Sequence, residues 1–235
     1  IVSNTTFIAG TNLNGTFNFG NTSGVGNILS LPGAGKIIAH TMVYGNGNSA
    51  DNLSMTGGAQ IIVRADGSFF TAGTSNKNIF LSGAGTLLSV GLSNNGTFYL
   101  GGTNTMSNKV LVAAGAAFYA NRIVVTDLTS IIDLDSGTIR SGNTAYSNSS
   151  PFEIGNGLGV ATFEGVGGTH SFAANIDVQQ LGVLHNSNAT FYAPVVRVES
   201  GGDYKVSGLA TNVGNINIES GGDFDFTAGA SLKID

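Results

Sequence analysis

Apolar residues recur with a spacing of 20 positions from residue 176 to the C-terminus. Three copies of an apolar-x-apolar pattern begin at Ile176, Val196 and Ile216. The second and third copies align residue by residue from Val196–Val206 to Ile216–Phe226. A fixed period near 20 residues is typical of stacked repeat proteins, in which each repeat buries its apolar face against its neighbours.

A shorter pattern inside this repeat extends toward the N-terminus. It consists of apolar-x-apolar, five turn-like residues and a further apolar residue. Alternate residues of a strand point to opposite faces, so the apolar pair points inward, and Gly or Asn in the linker suits a sharp corner. The pattern also begins at Leu29, Leu53, Ile61, Ile79, Val90, Val110, Ile123 and Phe152.

These patterns predict a chain that winds back on itself and pairs with its next coil. We predict an all-β fold, a right-handed single-stranded parallel β-helix (β-solenoid) of roughly twelve coils with about 20 residues each. Residues 1–235 form one domain in this prediction, with less regular coils over 1–150 and regular coils over 176–235. No segment keeps helical apolar spacing beyond one turn, so no helix is predicted.

Equivalent positions of successive coils should form ladders along the axis. Leu184, Tyr204 and Phe224 are expected to stack on the inside. On the outside, the register places Asp177 next to Arg197, and it places Lys205 next to Asp225. The stretch from Asp133 to Pro151 departs from the pattern, so we expect a longer loop or a coil with an insertion there, and we would look for function in it first.

Composition narrows the functional class. Charged residues make up 10% and apolar residues 41%, which is the reverse of a disordered chain. Cys is absent, so the chain has no disulfide, thiolate metal site or Cys nucleophile. A net charge of −5 without a Lys/Arg cluster argues against nucleic acid as a partner, and no apolar run is long enough for membrane insertion. The chain begins at Ile1 without a signal-peptide pattern, so we expect any export signal or anchor to lie outside this sequence.

The run from Ile154 to Thr169 and the two Ser-Gly-Gly-Asp copies resemble known repeats. They are similar to those of autotransporter passenger domains and related bacterial surface adhesins. The resemblance implies a right-handed parallel β-helix that is secreted or displayed on a bacterial cell surface. The C-terminal membrane barrel of that family is not in this chain, and such repeats carry no single function.

Four acidic residues form a candidate calcium site. Glu199 and Glu219 occupy equivalent positions of adjacent coils, and so do Asp203 and Asp223. Stacked like charges cost free energy unless a cation offsets them, and Ca²⁺ prefers carboxylate and carbonyl oxygens. The alternative is that these side chains flank a Gly-Gly corner and point into water, in which case no cofactor is implied.

A second acidic pair, Asp133 and Asp135, would lie on one strand face, as the paired acids of a polysaccharide-cleaving β-helix must. The motifs of polygalacturonase-like enzymes are missing, and only Arg140 is near enough in sequence to serve a lyase. The alternative is a solvated turn, so we assign no catalytic residue and predict that the chain is not an enzyme. The histidines His40, His170 and His185 lack metal-ligand spacing, and His185 is predicted to lie on the surface.

Adjacent aromatic residues should place one ring inside and one ring outside. The outward rings could align as a sticky stripe for glycan or another subunit, or could each be isolated. The glycine-rich run 155–159 is predicted to be a solenoid corner. The aromatic pairs are Phe69-Phe70, Phe98-Tyr99, Phe118-Tyr119 and Phe191-Tyr192.

We therefore predict an extracellular structural or adhesive β-solenoid, a rod or filament segment of a bacterial surface or secreted protein. Its expected partners are further copies of itself, or neighbouring surface proteins and glycans. The last strand pattern, Leu232–Asp235, has no evident cap, so assembly end to end is a further hypothesis. The alternative is a parallel β-helix that binds or cleaves polysaccharide, as lyases and glycosidases do.

Overall fold

A computed structural model describes residues 4–9, 15–20, 26–45, 50–64, 67–71, 76–91, 95–101 and 107–235. Within these residues there is no helix, and 25 strands form one hydrogen-bonded sheet. In chain order the strands are β1 (Thr6–Ile8), β2 (Thr16–Phe19), β3 (Ile28–Pro32), β4 (Lys36–Ala39), β5 (Thr41–Tyr44), β6 (Asn52–Thr56), β7 (Gln60–Val63), β8 (Phe69–Thr71), β9 (Asn78–Ser82), β10 (Leu87–Val90), β11 (Thr97–Leu100), β12 (Lys109–Ala113), β13 (Ala116–Val125), β14 (Ile131–Leu134), β15 (Gly137–Tyr146), β16 (Phe152–Ile154), β17 (Ala161–Val166), β18 (Thr169–Phe172), β19 (Ile176–Val178), β20 (Gly182–Ser187), β21 (Thr190–Val198), β22 (Asp203–Ser207), β23 (Leu209–Ile218), β24 (Asp223–Phe226) and β25 (Ser231–Ile234).

The strands stack in parallel on three faces. The first face contains β3, β6, β9, β12, β14, β16, β19 and the second halves of β21 and β23. The second face contains β1, β4, β7, β10, the first halves of β13 and β15, and then β17, β20, β22 and β24. The third face contains β2, β5, β8, β11, the second halves of β13 and β15, then β18, the first halves of β21 and β23, and β25.

The chain is an all-β parallel solenoid of about eight turns, counted as returns to the first face between Leu29 and Ile216. The predicted twelve coils are not found, because turns in the N-terminal half are longer than 20 residues. Leu29 pairs with Leu53, which lies 24 positions later, and Ile79 pairs with Val110, which lies 31 positions later.

The nine-residue pattern overstated the number of coils because it occurs on more than one face. Its copy at Ile61 lies on the second face, and its copy at Ile123 lies on the third. The copy that begins at Val90 includes Leu92, which lies outside the described residues. A single turn can therefore contain the pattern more than once.

The strict period of 20 is confirmed at the C-terminal end. Ile176, Val196 and Ile216 pair in register on the first face. The predicted charge pairing follows, because Arg197 Nε donates to Asp177 Oδ1 at 3.1 Å. Lys205 is likewise in register with Asp225.

Inward side chains form continuous ladders that fill the interior. On the third face, Phe69 and Phe98 are buried with their ring centroids 5.1 Å apart, and Phe98 meets Phe118 of the second face at 4.7 Å. Aromatic pairs of this kind contribute about 0.5–1.5 kcal/mol beyond their buried area. The predicted second-face ladder is also present, since Leu184 is in register with Tyr204 and Tyr204 with Phe224.

The repeated Gly-Gly corner needs each glycine for a different reason. Gly201 has a φ of +77°, which L side chains rarely adopt. A Cβ on Gly202 would lie 2.3 Å from the carbonyl oxygen of Val178 in the preceding turn. Gly202 therefore permits two turns to pack closely. The sequence around it did not indicate this role, because the contact is with a residue of the preceding turn.

Of the two alternatives for the stretch from Asp133 to Pro151, the longer loop is wrong, because most of these residues belong to the solenoid strands β14 and β15. Its polar composition hid the alternation, since Ser141 and Thr144 point into the interior. Both are hydrogen-bonded there: Ser141 Oγ donates to the Asn143 carbonyl oxygen at 2.5 Å, and Thr144 Oγ1 lies 3.0 Å from His170 Nδ1. The glycine run 155–159 does lie at a corner, between β16 and β17.

Candidate functional site

Three carboxylates line up on the outer side of the first face. Asp133, Glu153 and Asp177 occupy the same strand position in consecutive turns, and we call them the carboxylate row. A cation lies at each end: Lys109 Nζ is 2.7 Å from Asp133 Oδ2, and Arg197 pairs with Asp177. The carboxylate row is thus neutralised at its ends and not at its centre.

Glu153 is the central carboxylate of the row. Partial burial raises its pKa, and the charges of Asp177 and Asp133 on either side raise it further. Within the part of the chain that the structure describes, no cation forms an ion pair with it. Glu153 was missed in the sequence, although it occupies the same middle position of apolar-x-apolar as Asp177.

Asp135 lies beside the row and holds a proton more tightly than an ordinary carboxyl. Partial burial, a hydrogen bond with Asp133 and the charge of Asp133 raise the pKa of Asp135 to about 6, against the opposing charge of Lys109. Asp133 is held by Lys109, so the protonated Asp135 donates to it. The pair predicted from sequence, Asp133 and Asp135, is therefore brought together.

A shallow depression of about 280 Å³ opens beside Asp133 and is lined in part by Asp133, Glu153, Ser150 and Pro151, whereas Asp135 is not one of its lining residues. A protonated carboxyl next to an ionised one can donate a proton and accept another, which is what general acid–base chemistry requires. Arg140, the predicted partner, is not part of this site. It lies on the second face with its Nε 3.3 Å from Glu164 Oε2.

The four carboxylates of the calcium hypothesis fall on two faces. Glu199 follows the first-face strand β21, and its Oε1 lies 3.7 Å from Arg197 Nε. Asp203 begins the second-face strand β22, and its Oδ2 lies 3.0 Å from Lys205 Nζ. Across the described ranges, no group of three or more His, Cys, Asp or Glu side chains is gathered as a metal site. Glu219 and Asp223 repeat these two positions one turn later, and calcium binding stays a prediction.

His170 and His185 lie in different environments and do not form a common site. His185 lies on the outer side of the second face, as predicted, and is in register with Lys205. His170 is buried and stacks on Phe191 with ring centroids 4.8 Å apart. Its Nε2 lies 3.1 Å from the Gly167 carbonyl oxygen, so the neutral ring donates there. Burial lowers the pKa of His170 to about 4, although the bond to Gly167 opposes this.

The aromatic pairs divide between inside and outside as predicted. Phe69 is fully buried, whereas the next residue, Phe70, is 38% exposed. The outward rings of Phe70 and Tyr99 stack on the third face, 4.9 Å apart and within 4° of parallel. Tyr119 lies on the second face instead, so the outward rings form a short third-face stripe and not one along the whole rod.

Comparisons with protein-family models, with curated proteins and with solved structures find no match to this chain. A search of the described residues finds no helix that is both long and apolar enough to cross a membrane. The function of the chain must therefore be inferred from the geometry of its own residues.

Proposed function

We propose that the chain is a rod segment of a bacterial surface or secreted protein, and that a second copy extends the rod by stacking on its C-terminal end. We further propose that the β-helix is right-handed, since crossover connections between parallel strands favour that hand. In this proposal the rod bears load or holds an adhesive surface away from the cell.

The last turn carries the proposal. Its inward positions are still apolar but are open to solvent: Ile218 is 42% exposed, Phe226 is 50% and Ile234 is 58%. Val198 and Val206, which occupy two of these positions one turn earlier, are fully buried. Terminal repeats of solenoids that end in water carry a polar capping surface, whereas the inward positions of this turn are apolar.

The opposite end offers matching edges. Strand β1 begins the second face and β2 begins the third, and the first-turn residue Phe7 is 47% exposed although it is in register with the buried Ile37. Strands β24 and β25 end the same two faces. A second copy stacked head to tail would therefore pair parallel strands of like faces and cover apolar residues on both sides.

Charge placed on the open end tests the stacking. The variant Ile218→Lys/Phe226→Lys should remain monomeric at concentrations at which the unmodified chain forms species of higher mass, as measured by sedimentation velocity. Leu158→Lys is the matched control, because Leu158 is 85% exposed at a corner away from that end. A chain whose mass stays monomeric throughout the concentration range, or a variant that assembles like the control, would reject stacking.

A second candidate function rests on the Asp133–Asp135 pair. The shared proton, the nearby Glu153 and the open depression favour proton transfer to a polysaccharide. A screen for reducing sugars or unsaturated uronates released from pectin and alginate tests it. Activity that is lost in both Asp133→Ala and Asp135→Ala would support this function, and an inactive unmodified chain would exclude it for those substrates.

A further inference from the structure

The third face differs from the other two in charge. None of its described strands contains Asp or Glu, although the chain has a net charge of −5. Its charged strand residues are Arg122 and Lys233. The first and second faces carry outward carboxylates such as Asp133 and Glu164. An anionic group therefore meets the least repulsion on the third face.

Arg122 belongs to a row of outward polar residues on this face. Thr97, Arg122 and Asn143 pair in register across three turns. Thr169 continues the row, since its backbone N–H donates to Asn143 Oδ1 at 3.1 Å. Over the described ranges, no carboxylate lies within ion-pair distance of Arg122, which is exposed. Its guanidinium is thus available to a ligand.

An open groove of about 520 Å³ follows this row, with Asn95 and Asn121 at the corner that precedes the third face. The volume falls in the range of about 300–1,000 Å³ that is common for small-molecule sites. The side chains available for hydrogen bonding are amides, hydroxyls and one guanidinium. Amides and hydroxyls match the hydroxyl groups of a sugar, and guanidinium matches a carboxylate in a two-point pair.

An apolar strip runs beside the polar row. Phe70, Tyr99 and Val124 pair in register two positions farther along the same strands as the polar row. The rings of Phe70 and Tyr99 stack on each other at the start of this strip. Ala145, which pairs with Val124, continues its apolar surface into the wall of the groove. A sugar ring presents one apolar face, so it can pack on such a surface while its hydroxyls reach the polar row.

We propose that this surface, the arginine groove, binds an oligosaccharide that ends in one carboxylate-bearing sugar. Arg122 pairs with the carboxylate, Asn121 and Asn143 bond the hydroxyls, and Tyr99 packs against a neutral sugar. The arginine groove is defined by Asn95, Thr97, Asn121, Arg122, Asn143 and Thr169.

A single carboxylate fits this surface better than a polyuronate. The described third-face strands bring one cation to the groove, so further carboxylates of a polyuronate would find no partner there. They would also approach a chain with a net charge of −5. The inference goes beyond the structural role and does not depend on assembly of the rod.

Three probes separate the possibilities: sialyllactose, which ends in one carboxylate-bearing sugar, lactose, which lacks that sugar, and trigalacturonate. Calorimetric titration of the full chain should show sialyllactose binding at least about tenfold more tightly than lactose. Arg122→Gln should reduce sialyllactose affinity to that of lactose, whereas Tyr99→Ala should weaken both sugars by a similar factor. Lys233→Gln is the matched control, because Lys233 lies on the same face at the far end and pairs with Asp235.

Thermal unfolding of each variant shows whether it is folded before binding is compared. The proposal is overturned if sialyllactose shows no binding at millimolar concentration, or if Arg122→Gln binds it as the unmodified chain does. Tighter binding of trigalacturonate than of sialyllactose would reject the single-carboxylate ligand. None of these outcomes bears on whether the rod stacks end to end.

Discussion

Asp51 and Lys77 form an ion pair in the interior of the solenoid. Lys77 Nζ lies 3.1 Å from Asp51 Oδ2, and the two side chains are 1% and 0% exposed. Asp51 Oδ1 also accepts the backbone and side-chain N–H groups of Asn27 at 2.8 Å, and Lys77 donates its backbone N–H to Asn108 Oδ1. These residues precede first-face strands in successive turns, so hydrogen bonds link the turns at this corner.

We predict that Asp51→Ala lowers the free energy of unfolding by about 3–5 kcal/mol, because it leaves the Lys77 ammonium buried without this carboxylate. The measurement is urea unfolding at neutral pH. Lys205→Ala, which breaks an exposed pair with Asp203, is the control and should cost about 0–1 kcal/mol. Equal costs for the two variants would mean that the Asp51–Lys77 pair is solvated.

Burial of His170 makes stability depend on pH. Its pKa falls from 6.5 to about 4 in the folded chain, so the unfolded chain binds a proton first as the pH drops. The unmodified chain should therefore lose about 3 kcal/mol between pH 7 and pH 4 through this residue. In His170→Phe, the free energy of unfolding should fall between pH 7 and pH 4 by about 3 kcal/mol less than in the unmodified chain. His185→Gln controls for removal of a surface imidazole, and identical pH slopes for all three chains would contradict the prediction.

Neighbouring aromatic residues on one strand should differ strongly in their contributions. Phe69→Ala removes a buried ring from the third-face ladder and should cost about 3–5 kcal/mol. Phe70→Ala removes an outward ring stacked on Tyr99 and should cost about 0.5–1.5 kcal/mol. Thermal unfolding of the two variants compares them directly. A larger cost for Phe70 would show that the strand is in the opposite register.

Ionisation of Asp135 is a source of instability at neutral pH. Because the pKa of Asp135 is raised to about 6, its ionisation in the folded chain is disfavoured. The free energy of unfolding therefore falls as the pH rises from 3.8, the ordinary pKa of an aspartate, through 6. Asp135→Asn should therefore raise the melting temperature at pH 7 more than at pH 4. Asp225→Asn, on the outer side of the second face, is the control. An equal or opposite shift at the two pH values would argue against the shared proton.

The apolar pattern predicted the solenoid and the C-terminal register, but it did not predict how many turns there are. Apolar-x-apolar determines which side of a strand points inward, whereas the length of each corner determines which strands stack. The 31 positions from Ile79 to Val110 keep the pattern while adding a longer turn.

The sequence was enough to predict that Asp133 and Asp135 lie close together, because both lie at the end of one strand, β14. It did not identify Glu153 or Arg122, because each joins its neighbours through register between turns. The buried Lys77 was also missed, since a lysine before a strand normally indicates solvent.

Small-angle X-ray scattering over a concentration series tests the central proposal, a rod that extends through its open C-terminal end. We expect the particle length to increase with concentration while the cross-section stays constant. The Ile218→Lys/Phe226→Lys variant should keep the length of one chain at every concentration. Compact monomers of constant length at the highest concentration of the unmodified chain would contradict the proposal.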